Sequence, residues 1–377
     1  MNKNMKDNMI RVLQVVTALD GGGVERMLFN YYRVMNRNQI QFDFIVHSEE
    51  KGLLEDHFIQ MNSTIFRIPT RQQSLIKNFA LTKRIIKRGN YDAIHVHLDM
   101  MSIIPLFLAM IFGIKIRIAH SHMATKPKGL LGRFKNKVFS FLIKAFANKL
   151  FACGIDAGIS RYGLTTIKSN KVKVINNAIQ ISDYKFDESI RQVIRDEYQI
   201  ENNEILIGHV GRFTQQKNHE FIINLFKKIY ETNKRTKLML VGNGELEDEI
   251  KLKVEKMGLG NNIIFCGIRD DVNKLMQAMD ILILPSKYEG LPVVLVEAQC
   301  SGLSCLVSDT ITKEVNVTGR IKYLSLNSEI KDWVNTAFEM LKTNNRLNNK
   351  SYVDIKNAGY DIEIEKIHLE NSYKFSN

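Results

Sequence analysis

Three segments carry residues whose types and order suit a charged, hydroxyl-rich ligand. In the first, Gly211-Arg212-Phe213 leads to Gln216-Lys217-Asn218-His219, just after the apolar run Glu204–Val210. A guanidinium offers a planar fork of donors and an ammonium a compact point charge, so Arg212 and Lys217 can hold a diphosphate without a metal ion. In the second, Glu289 and Glu297 flank Gly290-Leu291-Pro292-Val293-Val294-Leu295-Val296. Seven intervening residues do not favour the roughly 5–5.5 Å separation of a retaining hydrolase pair. The two carboxylates instead suit hydroxyls at two ends of one extended ligand, with the amides of Gly290 and Leu291 as added donors. Glu297 lies inside the apolar run VVLVEA, which speaks against a solvated helix face. In the third, Gly21-Gly22-Gly23-Val24-Glu25 follows a strand and opens a helix, where bare backbone N–H groups suit a phosphate. It lacks both the GxGxxG spacing and the Walker lysine, and a plain tight turn explains it equally well.

Two further glycine turns, Gly242-Asn243-Gly244-Glu245 and Gly267-Ile268-Arg269-Asp270-Asp271, also follow strands and are compatible with a nucleotide floor. Histidines supply a competing idea. His95-x-His97 and His120-x-His122 each end a strand, and alternation puts both members of a pair on one face. A metal-dependent hydrolase is the reading they would support. No acidic residue lies between Asp99 and Asp156 to complete a carboxylate-rich site, so no metal or other cofactor is expected.

The elements that position these residues alternate along the whole chain. Strand patterns fall at Ile10–Thr17, Gln41–His47, Thr64–Ile68, Ala93–His97 and Ile114–Ala119, with helical spacing over Val24–Met35, Leu75–Lys87 and Leu130–Lys149. The rhythm repeats at Glu204–Val210, Leu238–Val241, Ile263–Phe265, Ile281–Leu284 and Ser304–Val307, with helices at His219–Tyr230, Leu246–Met257 and Pro292–Gln299. Such alternation predicts an α/β chain of two facing, doubly wound parallel sheets, whose ligands bind at the carboxyl ends of strands. A polar stretch over 178–203 marks the boundary.

Composition narrows the function classes. The chain has 377 residues, 45% hydrophobic and 25% charged, which excludes disorder and exceeds a single core. Four cysteines without a CxxC pair give no disulfide framework and point to a reduced compartment. The first residues lack the features of a signal peptide, and the apolar run Met100–Ile114, interrupted by Pro105, is too short to span a bilayer. A soluble or peripheral protein with a buried helix there is expected. The net charge of +13 is unevenly placed: residues 1–185 hold 28 Lys and Arg against 12 Asp and Glu, a balance of +16, and the remainder carries −3. Within it, Thr125–Leu150 joins seven basic residues to Leu130, Leu131, Phe134, Phe139, Phe141 and Phe146. A membrane-docking surface and a core helix with a solvated basic face are equal readings. A polyanion-binding module is a further rival, but no base-reading helix supports nucleic acid.

Taken in order, GGGVE, RIAHSH, FACG, VGRFTQQKNHEF, LVGNGEL, FCGIRDDV and SKYEGLPVVLVEA resemble family 4 retaining glycosyltransferases of the GT-B fold, the kind found in bacterial polysaccharide clusters. The resemblance implies two Rossmann-like domains with an interdomain cleft. The expected division is 1–185, acceptor-binding and membrane-facing; 186–355, nucleotide-sugar-binding; and 356–377, a C-terminal helix packing back toward the first domain. It also implies that Arg212 and Lys217 stabilise the leaving diphosphate, Glu289 binds the transferred sugar with Gly290 and Leu291, and Glu297 binds the ribose. Gly22 and Gly23 would approach the diphosphate, Arg269 the base, and His122, or alternatively His120, the sugar. The donor implied is a nucleotide-sugar, UDP-linked, and the acceptor a polyprenyl-diphosphate-linked glycan at an anionic membrane. That places the protein in the cytoplasm, peripheral at the inner face of the plasma membrane. One departure is Ile175-Asn176-Asn177-Ala178, where relatives commonly carry Pro-Asn-Gly.

Overall fold

The computed structural model describes residues 9–124, 129–343, 346 and 350–374. They form two compact units, one running to Ala178 and resuming at Asp361, the other spanning Ile179–Tyr360.

The first unit is built on seven parallel strands: β1 (Ile10–Val16), β2 (Ile40–Val46), β3 (Ile65–Arg67), β4 (Ala93–Val96), β5 (Ile116–Ser121), β6 (Lys149–Ala152) and β7 (Val172–Val174). Their spatial order is β3-β2-β1-β4-β5-β6-β7, so the chain reverses direction between β1 and β4. Such a switch favours a crevice at the carboxyl ends of the two strands, where Gly21 follows β1 and His97 follows β4. The strands are near-continuous apolar runs because helices cover both faces. Besides Arg11 near its start, β1 carries the polar Gln14, fully buried and in register with His95 of β4. The core beside β1 and β2 holds Tyr31, Tyr32, Phe42, Phe44 and Phe58, and the C-terminal helix Ile362–Ser372 adds Ile362, Leu369 and Tyr373 to it.

The second unit has six parallel strands: β8 (Ile205–Val210), β9 (Thr236–Val241), β10 (Ile263–Gly267), β11 (Ile281–Leu284), β12 (Ser304–Ser308) and β13 (Ile321–Leu324), ordered β10-β9-β8-β11-β12-β13. Its core centres on Ile207, Phe226, Leu240, Ile283 and Trp333. Arg346, 8% exposed, donates to the carbonyls of Met276, Gln277, Met279 and Ser301 at 2.7–3.1 Å. It thereby satisfies the orphan carbonyls ending the helices Val272–Ala278 and Val293–Cys300. Burial pushes its pKa down to about 9.

Several boundaries differ from the sequence expectation. The units divide at 178/179 and 360/361 rather than at 185 and 355, because the helix Ile181–Tyr184 packs on the second unit through Tyr184 and the carbonyl of Ile181. The polar stretch read as a boundary also contains the helix Glu188–Glu197, started by Asp187, whose carboxylate accepts from the amides of Ser189 and Ile190. The helix expected over Leu130–Lys149 ends at Phe146, and Lys149 instead begins β6. No helix among the described residues is long and apolar enough to cross a membrane.

Candidate active site

Of the expected site residues, the structure brings Lys217 and Glu289 into direct contact. Lys217 Nζ stands 2.6 Å from Glu289 Oε1, and both side chains are largely buried. Gln216 completes the arrangement. Its Nε2 donates to Glu289 Oε2 at 3.2 Å and to the Tyr288 carbonyl at 2.9 Å, while its own carbonyl accepts from the Lys287 amide. Asn218 adopts a left-handed conformation (φ 61°, ψ 46°) before the helix His219–Thr232, and its side chain donates to the Pro285 carbonyl. Asparagine tolerates this geometry better than most residues, and the bend ties the loop after β8 to the loop after β11. An ammonium has three donors, so the bond to Glu289 leaves Lys217 capacity for a phosphate. Arg212 is exposed, and its guanidinium has no ion-pair partner among the described residues.

Glycines after β9 shape that loop. Gly242 lies at φ +132°, and a Cβ there would sit 2.3 Å from the Gly211 carbonyl oxygen. A Cβ on Gly244, at φ +156°, would sit 2.6 Å from the Phe213 carbonyl oxygen. Asn243 O accepts from the Phe213 amide at 2.8 Å and Phe213 O accepts from the Leu246 amide at 3.0 Å. The Gly242-Asn243-Gly244 turn thus supports the segment that presents Arg212. Phe213 stacks on His219 with centroids 4.0 Å apart, and burial holds His219 down to about 4.

Gly290 and Leu291 precede the helix Val293–Cys300, for which Pro292 is the N-cap, one position earlier than the first-turn placement expected. Glu297 is the fifth residue of that helix, and its Oε1 accepts from the Tyr184 hydroxyl at 2.8 Å. Arg269 grips both carboxylate oxygens of Asp271 at 2.8 Å, with Glu197 at 3.8 Å, and these acids raise its pKa.

In the first unit, Gly22 is the N-cap of the helix Gly23–Val34, and Gly21 requires a positive φ of 82°. A Cβ on Gly23 would meet nothing within 4 Å, whereas one on Gly22 would lie 2.5 Å from the Glu25 carboxylate. The four paired histidines form a network. His95 bonds Tyr373 Oη (2.7 Å) and His120 (3.1 Å), and His97 bonds Gln14 Oε1 (2.9 Å) and His122 (2.8 Å). Burial lowers the pKa of all four, that of His122 to about 3. Nitrogens of His95, His97 and His120 lie within 4.8 Å of one another, close enough for a metal ion. The hydrogen bonds use both nitrogens of His95 and His97. His122 is 8% exposed and His120 1%, which puts His122 outermost. Its amide donates to Asp99, whose carboxylate is also held by Ser121 Oγ and Arg161.

The basic, aromatic segment is not a core helix. In Gly129–Phe146 the buried residues are Ser140 and Ile143, whereas Leu130 is 84% and Phe141 68% exposed. Lys126 and Lys128 of that segment lie outside the described residues. The neighbouring helices Ile103–Ile111 and Leu75–Arg88 add exposed Ile111, Phe79 and Ile76.

Gln14, Asp99, Tyr184, Gln216 and Tyr373 were not among the expected site residues. Gln14 left a signal, a lone amide inside the apolar run VLQVV. Tyr373 left none, since it meets Gln14 across 359 positions of sequence.

Comparison with known proteins shows the family and the fold. Residues 21–183 match the family model described as Glycosyltransferase Family 4, and residues 190–361 the one described as Glycosyl transferases group 1. EpsF of Bacillus subtilis (strain 168), assigned by name as a glycosyltransferase, is 31% identical over 99% of this chain and 98% of its own. The capsular polysaccharide biosynthesis glycosyltransferase CapH of Staphylococcus aureus is 25% identical over 97% and 99%. The Escherichia coli UDP-Gal:alpha-D-GlcNAc-diphosphoundecaprenol alpha-1,3-galactosyltransferase is 27% identical over 76% of each chain. Among solved structures, Anabaena Alr3699/HepE in complex with UDP and glucose superimposes with a TM-score of 0.77 at 17% identity, covering 96% and 99%, which shows the shared fold. The chain belongs to the family 4 glycosyltransferases of the GT-B fold and is an enzyme of polysaccharide biosynthesis.

Proposed function

We propose that the chain transfers a sugar from a UDP-sugar to a lipid-diphosphate-linked or growing surface polysaccharide, with retention and without a metal ion. The observation that carries this reading is the cluster at the carboxyl end of β8, where Lys217 is oriented by Glu289 and Arg212 stands exposed beside it. Breaking a nucleotide-sugar bond releases a diphosphate, and preorganised cations stabilise its charge without reorganisation. Glu289, with the amides of Gly290 and Leu291, takes the sugar, and Glu297, steadied by Tyr184, takes the ribose hydroxyls. Arg269 lies toward the base, Gly22 and Gly23 serve the diphosphate, and His122 contacts the sugar in preference to His120, because it is the outermost histidine. The names of the Escherichia coli relative and of the HepE complex support a lipid diphosphate acceptor and a UDP donor, respectively.

The acceptor implies a membrane. The exposed Leu130, Leu131, Phe134 and Phe141, with Arg133, Lys135, Lys137 and Lys144 on the same helix, suit insertion beside anionic headgroups. We place the protein at the cytoplasmic face of the membrane on that basis. A thermal-shift series in EDTA across UDP-, GDP- and ADP-sugars tests the donor. Stabilisation by a UDP-sugar is expected, and no stabilisation by any of the three classes would count against the reading.

A further inference from the structure

Six buried side chains of the first unit form one hydrogen-bonded chain whose proton directions are set at its centre. Gln14 Nε2 donates to Tyr373 Oη at 3.2 Å, and the single Tyr373 proton then goes to His95 Nδ1 at 2.7 Å. A neutral His95 must therefore carry its proton on Nε2 and donate it to His120 Nδ1 at 3.1 Å, leaving the His120 proton on Nε2. On the other arm Gln14 Oε1 is an acceptor, so His97 Nε2 donates to it at 2.9 Å. His97 Nδ1 then accepts from His122 Nε2 at 2.8 Å, and His122 Nδ1 is left bare. A half-turn of the Gln14 amide would reverse every donor in both arms at once. The inner arm ends on a sealed group, His120 Nε2, buried with no partner among the described residues. The outer arm ends on His122, whose carbonyl accepts from Cys153 Sγ and whose amide donates to Asp99.

We propose that Gln14 is a positioning residue that sets the four histidines in the Nε2–H tautomer through two arms, the inner one by way of Tyr373, so that His122, at the end of the outer arm, offers a bare Nδ1 as acceptor to a hydroxyl of the transferred sugar. The proposal rests on the reading that places His122 at the sugar. The end of the C-terminal helix thereby belongs to the inner arm: Tyr373 carries the hydroxyl that joins Gln14 to His95, and the helix's apolar residues hold that end in the core beside β1.

The test is two-bond ¹H–¹⁵N correlation on the full chain labelled at histidine nitrogens, recorded without ligand near pH 7.5. The native protein should show His95, His97, His120 and His122 protonated on Nε2 alone. Tyr373→Phe should release the tautomers of His95 and His120 while leaving His97 and His122 as they were, and Gln14→Leu should release both pairs. UDP-sugar turnover should then fall roughly 10–100-fold in Gln14→Leu, the size of effect typical when a second layer of hydrogen bonds is removed, and much less in Tyr373→Phe. Binding of UDP alone, which lacks the transferred sugar, should stay unchanged in both. A native spectrum with His122 protonated on Nδ1 overturns the proposal even if neither variant folds. Loss of all four Nε2 protons on adding stoichiometric Zn²⁺ also overturns it, in favour of a metal cluster. Spectra that shift as stated with undiminished turnover in Gln14→Leu remove the relay from transfer and fault the role of His122, leaving the diphosphate site untouched.

Discussion

Lys217 Nζ lies 2.6 Å from Glu289 Oε1, joining the loop after β8 to the loop after β11 in the second unit. The pair aligns the ammonium before any donor arrives, and it makes the two residues energetically dependent on each other. Arg212→Ala or Lys217→Ala should each lower kcat by about 10²–10³-fold, or ~3–4 kcal/mol of barrier, by analogy with removing one oxyanion donor. The double variant Lys217→Met/Glu289→Gln should lose less than the sum of Lys217→Met and Glu289→Gln measured alone, because contacting residues are non-additive. Strict additivity in steady-state kinetics would contradict the coupling.

Tyr184 anchors one oxygen of Glu297 at 2.8 Å. A hydrogen bond to a charged group contributes about 1.5–3 kcal/mol, so Tyr184→Phe should raise KM for the donor about tenfold or more and leave kcat nearly unchanged. An effect on kcat alone would place Glu297 elsewhere in the reaction.

Gly242→Ala would drive a Cβ to 2.3 Å from the Gly211 carbonyl, at a φ of +132°. Since the obstacle is backbone, we expect a loss of about 1–3 kcal/mol in stability and reduced turnover from a displaced Arg212. Denaturant titration reads the first and initial rates the second. A variant as stable as the native chain would refute the supporting role of the turn.

How far the site was readable in advance follows from where each signal resides. Arg212, Lys217, Glu289 and Glu297 follow strands or open helices, so local order exposes them. The strand–helix alternation likewise gives the two parallel sheets. The 178/179 division was hidden because the contacts that join the helix Ile181–Tyr184 to the second unit are distant in sequence, Tyr184 meeting Glu297 across 113 positions. The helix ending at Phe146 was overrun because LIKAFANKL keeps apolar residues at helical spacing into β6. His120 and His122 share one strand face, so spacing does not separate them; depth in the fold does.

Docking on anionic membranes should weaken when Lys135, Lys137 and Lys144 become Gln. Each basic residue near such a surface contributes about 1 kcal/mol, so the triple variant should lose ~3 kcal/mol, roughly 100-fold in vesicle partitioning. Phe134→Ser/Phe141→Ser should weaken binding with less dependence on salt. Unchanged sedimentation with phosphatidylserine vesicles in the triple variant would remove this helix from the membrane contact.

Buried histidines predict an acid-sensitive fold. Their folded pKa values lie below the usual 6.5, His122 at about 3 and His47 and His219 at about 4, mainly through desolvation. Above pH 6.5 both folded and unfolded states hold them neutral, so stability is fully present there. As pH falls below 6.5 the unfolded chain takes up protons that the folded chain refuses, and each such histidine costs about 1.4 kcal/mol per pH unit. The melting temperature should drop steadily from pH 6.5 to 4, and a flat profile over that range would contradict neutral burial.

The proposed transfer depends on Arg212 and Lys217 holding the diphosphate of a UDP-sugar without a metal ion. Calorimetric titration of UDP into the native chain, Arg212→Ala and Lys217→Ala, all in EDTA, tests it most directly. Binding to the native protein is expected, with a loss of about tenfold or more in each variant. Binding that requires a divalent cation, or that both variants retain in full, would contradict it.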